Sequence, residues 1–242
     1  MGSSAKLRTG ASIPAIGLGV FLAKSGKETY TAVLNSLKIG YRHIDTARMY
    51  GNETDVGKAI KASGLSRDQV FVTSKLYDID WGYEAATSAI KQSLKSLDTD
   101  YIDLMLMHHP GSRQGRKETW QALEAAHKKG VCKAIGRTEL VDYCKSKDIV
   151  LEAYSPLCKA TKLSHPEIVR VAARCHKTPA QVLIRWSLQK GFVPLPKSVR
   201  PERQATNLDV FSFELDQEDL ARLDKLECHG VTAWDPISQD PV

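Results

Sequence analysis

Gly40-Tyr41-Arg42-His43-Ile44-Asp45-Thr46-Ala47-Arg48-Met49-Tyr50-Gly51-Asn52-Glu53 is the stretch that decides the fold. Upstream of it, Tyr30, Val33, Leu34 and Leu37 recur at helical spacing, and Gly40 ends that run with a residue suited to a left-handed cap. A short strand-like segment then delivers Asp45, and after it Tyr50, into a polar loop. A carboxylate and a phenol just beyond a buried strand are costly unless they have partners or a task. The chain offers Lys75 as that partner, at the end of the next strand-like run, 70–74.

The same alternation extends in both directions. Residues 6–15 carry turn chemistry (Thr9-Gly10, Ile13-Pro14) and read as a small hairpin ahead of the main fold. Strands are expected over 16–20, 43–47, 70–74, 101–107, 131–135, 149–154 and 192–195. Helices are expected over 27–38, 52–62, 82–97, 116–129, 139–147, 166–175 and 179–188, after Pro201, and over 216–226. Near-continuous apolar strands alternating with amphipathic helices argue for a parallel sheet covered by helices. Gly17-Leu18-Gly19 lacks the third glycine of a dinucleotide-binding fingerprint, which weakens a Rossmann reading. Many strand-helix units in one uninterrupted chain favour a (β/α) barrel, whose active-site groups project from the C-terminal strand ends. Asp45, Lys75, His108 and Tyr154 then fall at one mouth. The expected organisation is α/β, with residues 1–242 forming a single barrel domain and no linker.

Composition narrows the setting. The 242 residues contain no run long enough to span a bilayer and no secretory signal pattern, so cytoplasm is the default. Lys6 occupies the position where a myristoylation signal needs serine or threonine. Five scattered cysteines with no C-x-x-C spacing read as reduced thiols. Asn52-Glu53-Thr54 fits a glycosylation sequon, a coincidence in a chain without export. A net charge of +6 favours anionic partners in general, but no basic run is interleaved with aromatics as nucleic-acid binding would require.

The segment GYRHIDTARMYGNETDVG, Gly40 to Gly57, resembles the first signature of the aldo-keto reductases. Leu195-Pro196-Lys197-Ser198, followed by Arg203 and Asn207, is similar to their C-terminal cofactor signature. Tyr101 to Pro110 resembles the family's fourth strand, and Glu152 to Leu157 its seventh. The matches run in order along nearly the whole chain. The resemblance implies a TIM barrel, a monomer, and NADPH-dependent reduction of a small carbonyl compound, with no nucleic acid, membrane or metal involved.

Carried over by position, Tyr50 is the general acid and Lys75 the ammonium that lowers its pKa. Asp45 holds Lys75, and His108 orients the substrate oxygen. Tyr154 stacks on the nicotinamide, while Ser155 and Leu157, with Gly19 and Val20, line the cofactor. Lys197 and Arg203 pair with the 2′-phosphate, and Ser198 and Asn207 add hydrogen bonds. A free phenol titrates at about 10, far from neutrality, so a nearby ammonium is what such an acid needs.

Three departures from the pattern stand out. His109 replaces a tryptophan of the pocket wall. Cys158-Lys159-Ala160 replaces a glycine-containing turn. Between Gly136 and Thr138 one strand-helix unit, roughly 30 residues, has no counterpart, so a (β/α)8 barrel lacking one unit is expected, through either a true internal deletion or a segment that the sequence omits. Those residues normally hold the nicotinamide carboxamide. Two alternatives therefore accompany the reductase reading: a cofactor-binding protein with impaired catalysis, and a Schiff-base lyase with Lys75 as nucleophile.

Overall fold

The computed structural model describes residues 3–7, 9–109, 113–137 and 149–226. The chain opens with β1 (Ser4–Lys6) and β2 (Ser12–Pro14), an antiparallel hairpin with Ala5 opposite Ile13. Ile13 is fully buried and packs with Phe71, Leu104, Leu106, Ala134, Val193 and Leu195 inside the barrel. The hairpin therefore supplies an apolar plug to the main fold.

Four strand-helix steps and a fifth strand follow: β3 (Leu18–Gly19), α1 (Lys27–Lys38), β4 (His43–Asp45), α2 (Glu53–Ala62), β5 (Phe71–Leu76), α3 (Tyr83–Leu97), β6 (Ile102–Met107), α4 (Arg113–Lys128) and β7 (Cys132–Arg137). The strands form one parallel sheet in chain order, β3-β4-β5-β6-β7. The description resumes with β8 (Leu151–Ala153), α5 (Pro166–Arg174), α6 (Pro179–Gln189), β9 (Phe192–Pro194), α7 (Pro201–Leu208) and α8 (Gln217–Asp224). β8 and β9 pair in parallel.

The two sheets meet along β3 and β9. Gly17 N donates to Pro194 O at 3.1 Å, Gly19 N donates to Pro196 O at 3.3 Å, and Gly19 bridges to Lys197. The order around the barrel is thus β8-β9-β3-β4-β5-β6-β7, and among the described residues β7 and β8 do not pair. Both glycines have a packing reason rather than a phosphate-binding one. A Cβ on Gly17 would lie 2.6 Å from His43 Nδ1, and one on Gly19 would lie 3.0 Å from Leu195 O.

Outside the sheet, the largest apolar cluster lies between strands and helices and includes Val33, Leu37, Ile44, Val56, Val72, Ile90 and Met105. Gly57, the last glycine of the opening signature, lets α2 touch the end of α3. A Cβ there would sit 2.2 Å from Leu97 O, an overpacking that costs about 1–3 kcal/mol. Local signals place the helix starts: Thr178 and Gln181 form a capping box at α6 with Pro179 in the first turn.

Most expected elements appear within a residue or three of their bounds, and the helix over 27–38 coincides with α1. One shift matters: the strand expected to stop at residue 74 continues to Leu76, so Lys75 is a strand residue and not a loop residue. The helix expected over 139–147 lies outside the described residues. Among those described, no helix is long and apolar enough to cross a membrane.

Candidate active site

The strand ends assemble the site. Asp45 is the last residue of β4, Tyr50 closes the short 3-10 turn Arg48–Tyr50, Lys75 lies near the end of β5, and His108 follows β6. Parallel pairing sets Asp45 beside Thr73, and Lys75 beside Leu106, so all four residues come to one rim. Lys75 Nζ donates to Asp45 Oδ2 at 2.6 Å and to Thr46 O at 2.8 Å. The same nitrogen stands 5.2 Å from the centre of the Tyr50 ring. Tyr50 packs against Phe21 (5.0 Å between centroids) and meets His108 edge-on at 5.7 Å. His108 in turn touches Tyr77 and His109, and His109 Nδ1 lies 3.2 Å from Asp78 Oδ1.

Asn52 holds this rim together. Fully buried, it donates to Val20 O at 3.1 Å and Ala23 O at 3.3 Å, and accepts from Thr46 Oγ1 at 2.8 Å. The sequon amide is thereby committed to joining the loops after β3 and β4.

Burial and charge oppose each other at every titrating group. For Lys75, burial disfavours the ammonium, but Asp45, Tyr50 and Glu152 outweigh it and raise the pKa, so the side chain stays protonated. A permanently charged, hydrogen-bonded ammonium has no lone pair for carbonyl attack, which argues against the lyase alternative. Tyr50 corrects the sequence reading. Lys75 does pull its pKa down, as expected, but burial is the larger effect, Asp45 and Glu152 add to it, and the net direction is up. The phenol therefore holds its proton through the neutral range. Burial first, then Lys75 and His109, push the His108 imidazole down to about 3, so it is neutral at physiological pH.

The residues expected to bind cofactor fall at two places. At the β3–β9 junction, Gly19 and Lys197 are neighbours, and Val20 N donates to Asp45 O at 3.1 Å. Ser198 is buried, with its Oγ accepting from Arg200 N at 3.1 Å, and Asn207 is buried on α7. Lys197 and Arg203 are exposed, and neither forms an ion pair among the described residues. The second place is the end of β8, where the Tyr154 ring is exposed and Leu157 packs against the main apolar cluster. Ser155, Cys158, Lys159 and Ala160 adopt positive φ (49°, 47°, 52° and 67°), so the missing glycine turn is replaced by left-handed non-glycine residues. Each such residue carries a strain of roughly 1–2 kcal/mol.

Sequence reasoning singled out Asp45 and Lys75 but gave no role to the layer beneath them. His43, Thr73 and Glu152 meet inside the barrel, two residues before Asp45 on β4, Lys75 on β5 and Tyr154 just after β8. The period-two repeat of strands was the signal that could have revealed them. Phe21 and Tyr77 were also missed, because aromatic residues in loops carry no periodic mark.

A parallel barrel with a buried lysine-carboxylate pair beside a phenol and a neutral imidazole, all at the strand ends, has the architecture of a barrel-class enzyme. Sequence comparison takes the assignment one step further: the chain belongs to the aldo/keto reductase family, which it matches over residues 15–140 and 137–227. It is 40% identical to the glyoxal reductase of Bacillus subtilis (strain 168), over 91% of each chain. It is 38% identical to the uncharacterized oxidoreductase YtbE of the same organism, over 98% of each; that alignment runs over 275 residues, more than the 242 of this chain. Among solved structures it superposes on an aldo-keto reductase from a Medee basin deep-sea metagenome library with a TM-score of 0.93 at 36% identity, covering 99% of both chains. A Bombyx mori aldo-keto reductase in complex with NADP gives 0.89 at 26% identity, covering 99% of this chain and 97% of that one. The fold is thus the TIM barrel of aldo-keto reductases, and the chain is an oxidoreductase of that family.

The neutral imidazole gives a direct test. With His108 held down to about 3, against about 6.5 for a free imidazole, its ring proton resonances are expected not to titrate between about pH 8 and pH 4.5. A midpoint near 6.5 in NMR spectra assigned with His108→Gln would contradict the buried geometry.

Proposed function

We propose that the chain is an NADPH-dependent reductase of aldehydes or ketones, a single barrel domain in which Tyr50 is the proton donor. The observation that carries this reading is the Lys75 ammonium, fixed by Asp45 at 2.6 Å and set beside a phenol that keeps its proton. The residues present fit a phosphorylated dinucleotide: two exposed cations, Lys197 and Arg203, lack acidic partners among the described residues, and an exposed Tyr154 ring stands at the mouth. When bound, the dinucleotide supplies the hydride for the carbonyl carbon.

Every other task falls to the chain's own residues. The Tyr50 hydroxyl gives its proton to the carbonyl oxygen, and Lys75 stabilises the phenolate left behind. Neutral His108 fixes the substrate oxygen beside Tyr50 through a ring nitrogen. Arg203 grips the 2′-phosphate with its forked donors and Lys197 acts as a point charge. Ser198 and Asn207 complete that site, Tyr154 stacks on the nicotinamide, and the segment Ser155 to Leu157, with Gly19 and Val20, lines the bound cofactor. A protonated Tyr50 at rest favours the reductive direction, since oxidation of an alcohol requires the phenolate. The relative named glyoxal reductase supports small aldehydes as the substrate class.

The short barrel fits the same reading. An alignment longer than the chain, and a family match divided at residues 137–140, support a unit absent after Gly136. The two sheets remain joined through β3 and β9, so the rim carrying Asp45, Tyr50, Lys75 and His108 does not depend on that unit.

Three measurements test this reading. Tyr50→Phe is expected to lower NADPH-dependent aldehyde reduction about 100-fold or more while leaving NADPH binding intact; unchanged turnover would remove Tyr50 from the chemistry. Arg203→Ala is expected to weaken NADPH binding roughly ten- to a hundred-fold and NADH binding hardly at all. Equal losses for both cofactors would rule out the phosphate clamp. Peptide mapping of protein from its native source is expected to recover a peptide in which Gly136-Arg137-Thr138-Glu139 are contiguous, and a peptide carrying a whole strand-helix unit between Gly136 and Thr138 would refute the deletion.

A further inference from the structure

Beneath the rim, three polar side chains from three strands converge in the barrel interior. Glu152 on β8 has a side chain only 8% exposed, and its Oε1 lies 3.3 Å from His43 Nε2 on β4. Thr73 Oγ1 on β5 donates to that same carboxylate oxygen at 3.2 Å, and is itself 2.9 Å from His43 Nε2. Because Thr73 gives its proton to Glu152, the hydroxyl accepts from His43, so Nε2 is the protonated ring nitrogen. Nδ1 faces Gly17, where a Cβ would lie 2.6 Å away, and has no hydrogen-bond partner in the described structure. This layer is closely packed: the His43 ring lies against Gly17, just before β3, and Glu152 accepts from Thr73 and faces His43 Nε2.

Each member of the layer is two residues from a member of the site above it. His43 precedes Asp45 on β4 and Thr73 precedes Lys75 on β5, each pair on one face of its strand, while Glu152 on β8 stands two residues before Tyr154, which follows that strand. Glu152 is also the point where the β8–β9 sheet reaches across the interior to β4 and β5. That contact gains importance where β7 and β8 do not pair among the described residues.

We propose that Glu152 is a positioning residue of this reductase site, whose buried negative charge, held by His43 and Thr73, fixes the charged state of Lys75 and the proton on Tyr50 while its strand holds Tyr154 at the same mouth. The inference rests on the reductase reading for its meaning, but the charge effect can be read without turnover.

The electrostatics agree in direction. Burial alone would raise the Glu152 pKa, yet the contacts from His43 and Thr73, with the Lys75 ammonium, hold it below the usual carboxylate range, so it is ionised. Its charge raises the pKa of both Lys75 and Tyr50. The titratable groups facing Tyr50 are Lys75 from β5, Asp45 from β4, His108 after β6 and, one layer down, Glu152 from β8. Of the two carboxylates, Asp45 touches the ammonium directly and Glu152 adds a second negative charge behind it.

The test uses the full chain with tyrosine labelled at the ring carbon bearing oxygen. Tyr50 is assigned with Tyr50→Phe and its resonance followed against pH. Glu152→Gln keeps the length and an acceptor oxygen but removes the charge, so the Tyr50 midpoint is expected to fall by about half a unit or more. Glu152→Asp keeps the charge on a shorter arm and is expected to titrate closer to the parent than Gln does. A purely packing role predicts the reverse order, because Gln is the better isostere. Identical midpoints in parent and Glu152→Gln, or Asp deviating more than Gln, would overturn the proposal. In turnover, the alkaline limb of the kcat/KM profile for reduction is expected to move to lower pH in Glu152→Gln, following the Tyr50 midpoint. Absence of reductase activity in the parent would defeat the functional reading, and the order of the NMR midpoints would still decide whether Glu152 sets the charge at Tyr50.

Discussion

Placing the Lys75 ammonium inside the barrel mouth is the constraint from which the rest of the site follows. An ammonium taken out of water loses several kcal/mol of hydration, and only close, well-directed partners restore it. Here the partners are Asp45 at 2.6 Å and the Thr46 carbonyl at 2.8 Å, both at the end of the neighbouring strand. Parallel pairing between β4 and β5 delivers them without any loop having to fold back. Once the pair is in place, a phenol beside it sits in a positive field but also in a dry one. The dryness is the stronger influence on Tyr50. The phenol consequently keeps its proton at rest; under the proposed reductase reading, the ammonium would matter most as that proton leaves.

The barrel closes one seam by backbone approach and ties its two sheets together from inside. A sheet edge left unpaired exposes backbone donors and acceptors, which native proteins normally cover. Between β7 and β8 the described residues show no pairing, yet the opposite seam is closed by Gly17 and Gly19 against the segment after β9. Those glycines admit the close approach that a side chain would prevent. Inside, the apolar layer around Ile13 and Phe71 and the polar layer of His43, Thr73 and Glu152 tie the two sheets together through side chains. Asp45 and Lys75 sit on β4 and β5, near the middle of the strand order, while His108 follows β6 and Tyr154 follows β8.

The mouth combines a hydrophobic rim with unpaired positive charge. Phe21, Leu22, Met49, Ile79 and Tyr154 are all exposed, although large apolar side chains in a folded domain are more often covered. Such a rim suits a flat, partly apolar ligand, while Lys197 and Arg203 suit its anionic end. The left-handed run from Cys158 to Ala160 follows Tyr154 closely in the chain, and its non-glycine residues hold a strained conformation.

Much of this was legible in the order of residues. Helical spacing at Tyr30, Val33, Leu34 and Leu37, the apolar runs over 70–74 and 101–107, and the glycine at 40 specify a strand-helix repeat, because local burial and capping follow from spacing alone. The signature from Gly40 to Gly57 pointed to the family that sequence comparison bears out, and with it to Asp45, Tyr50, Lys75 and His108. What spacing could not convey is the balance of opposing effects at a point in space. That burial outweighs Lys75 at Tyr50 depends on how many atoms exclude water there. That Glu152 meets His43 and Thr73 depends on strands 79 and 109 residues apart along the chain being brought around one barrel, a distance only tertiary closure sets. The sequence by itself determined which groups are present and on which strands; the tertiary structure decided which charges share a dry interior, because the energy of a charge depends on its surroundings and not on its place in the chain.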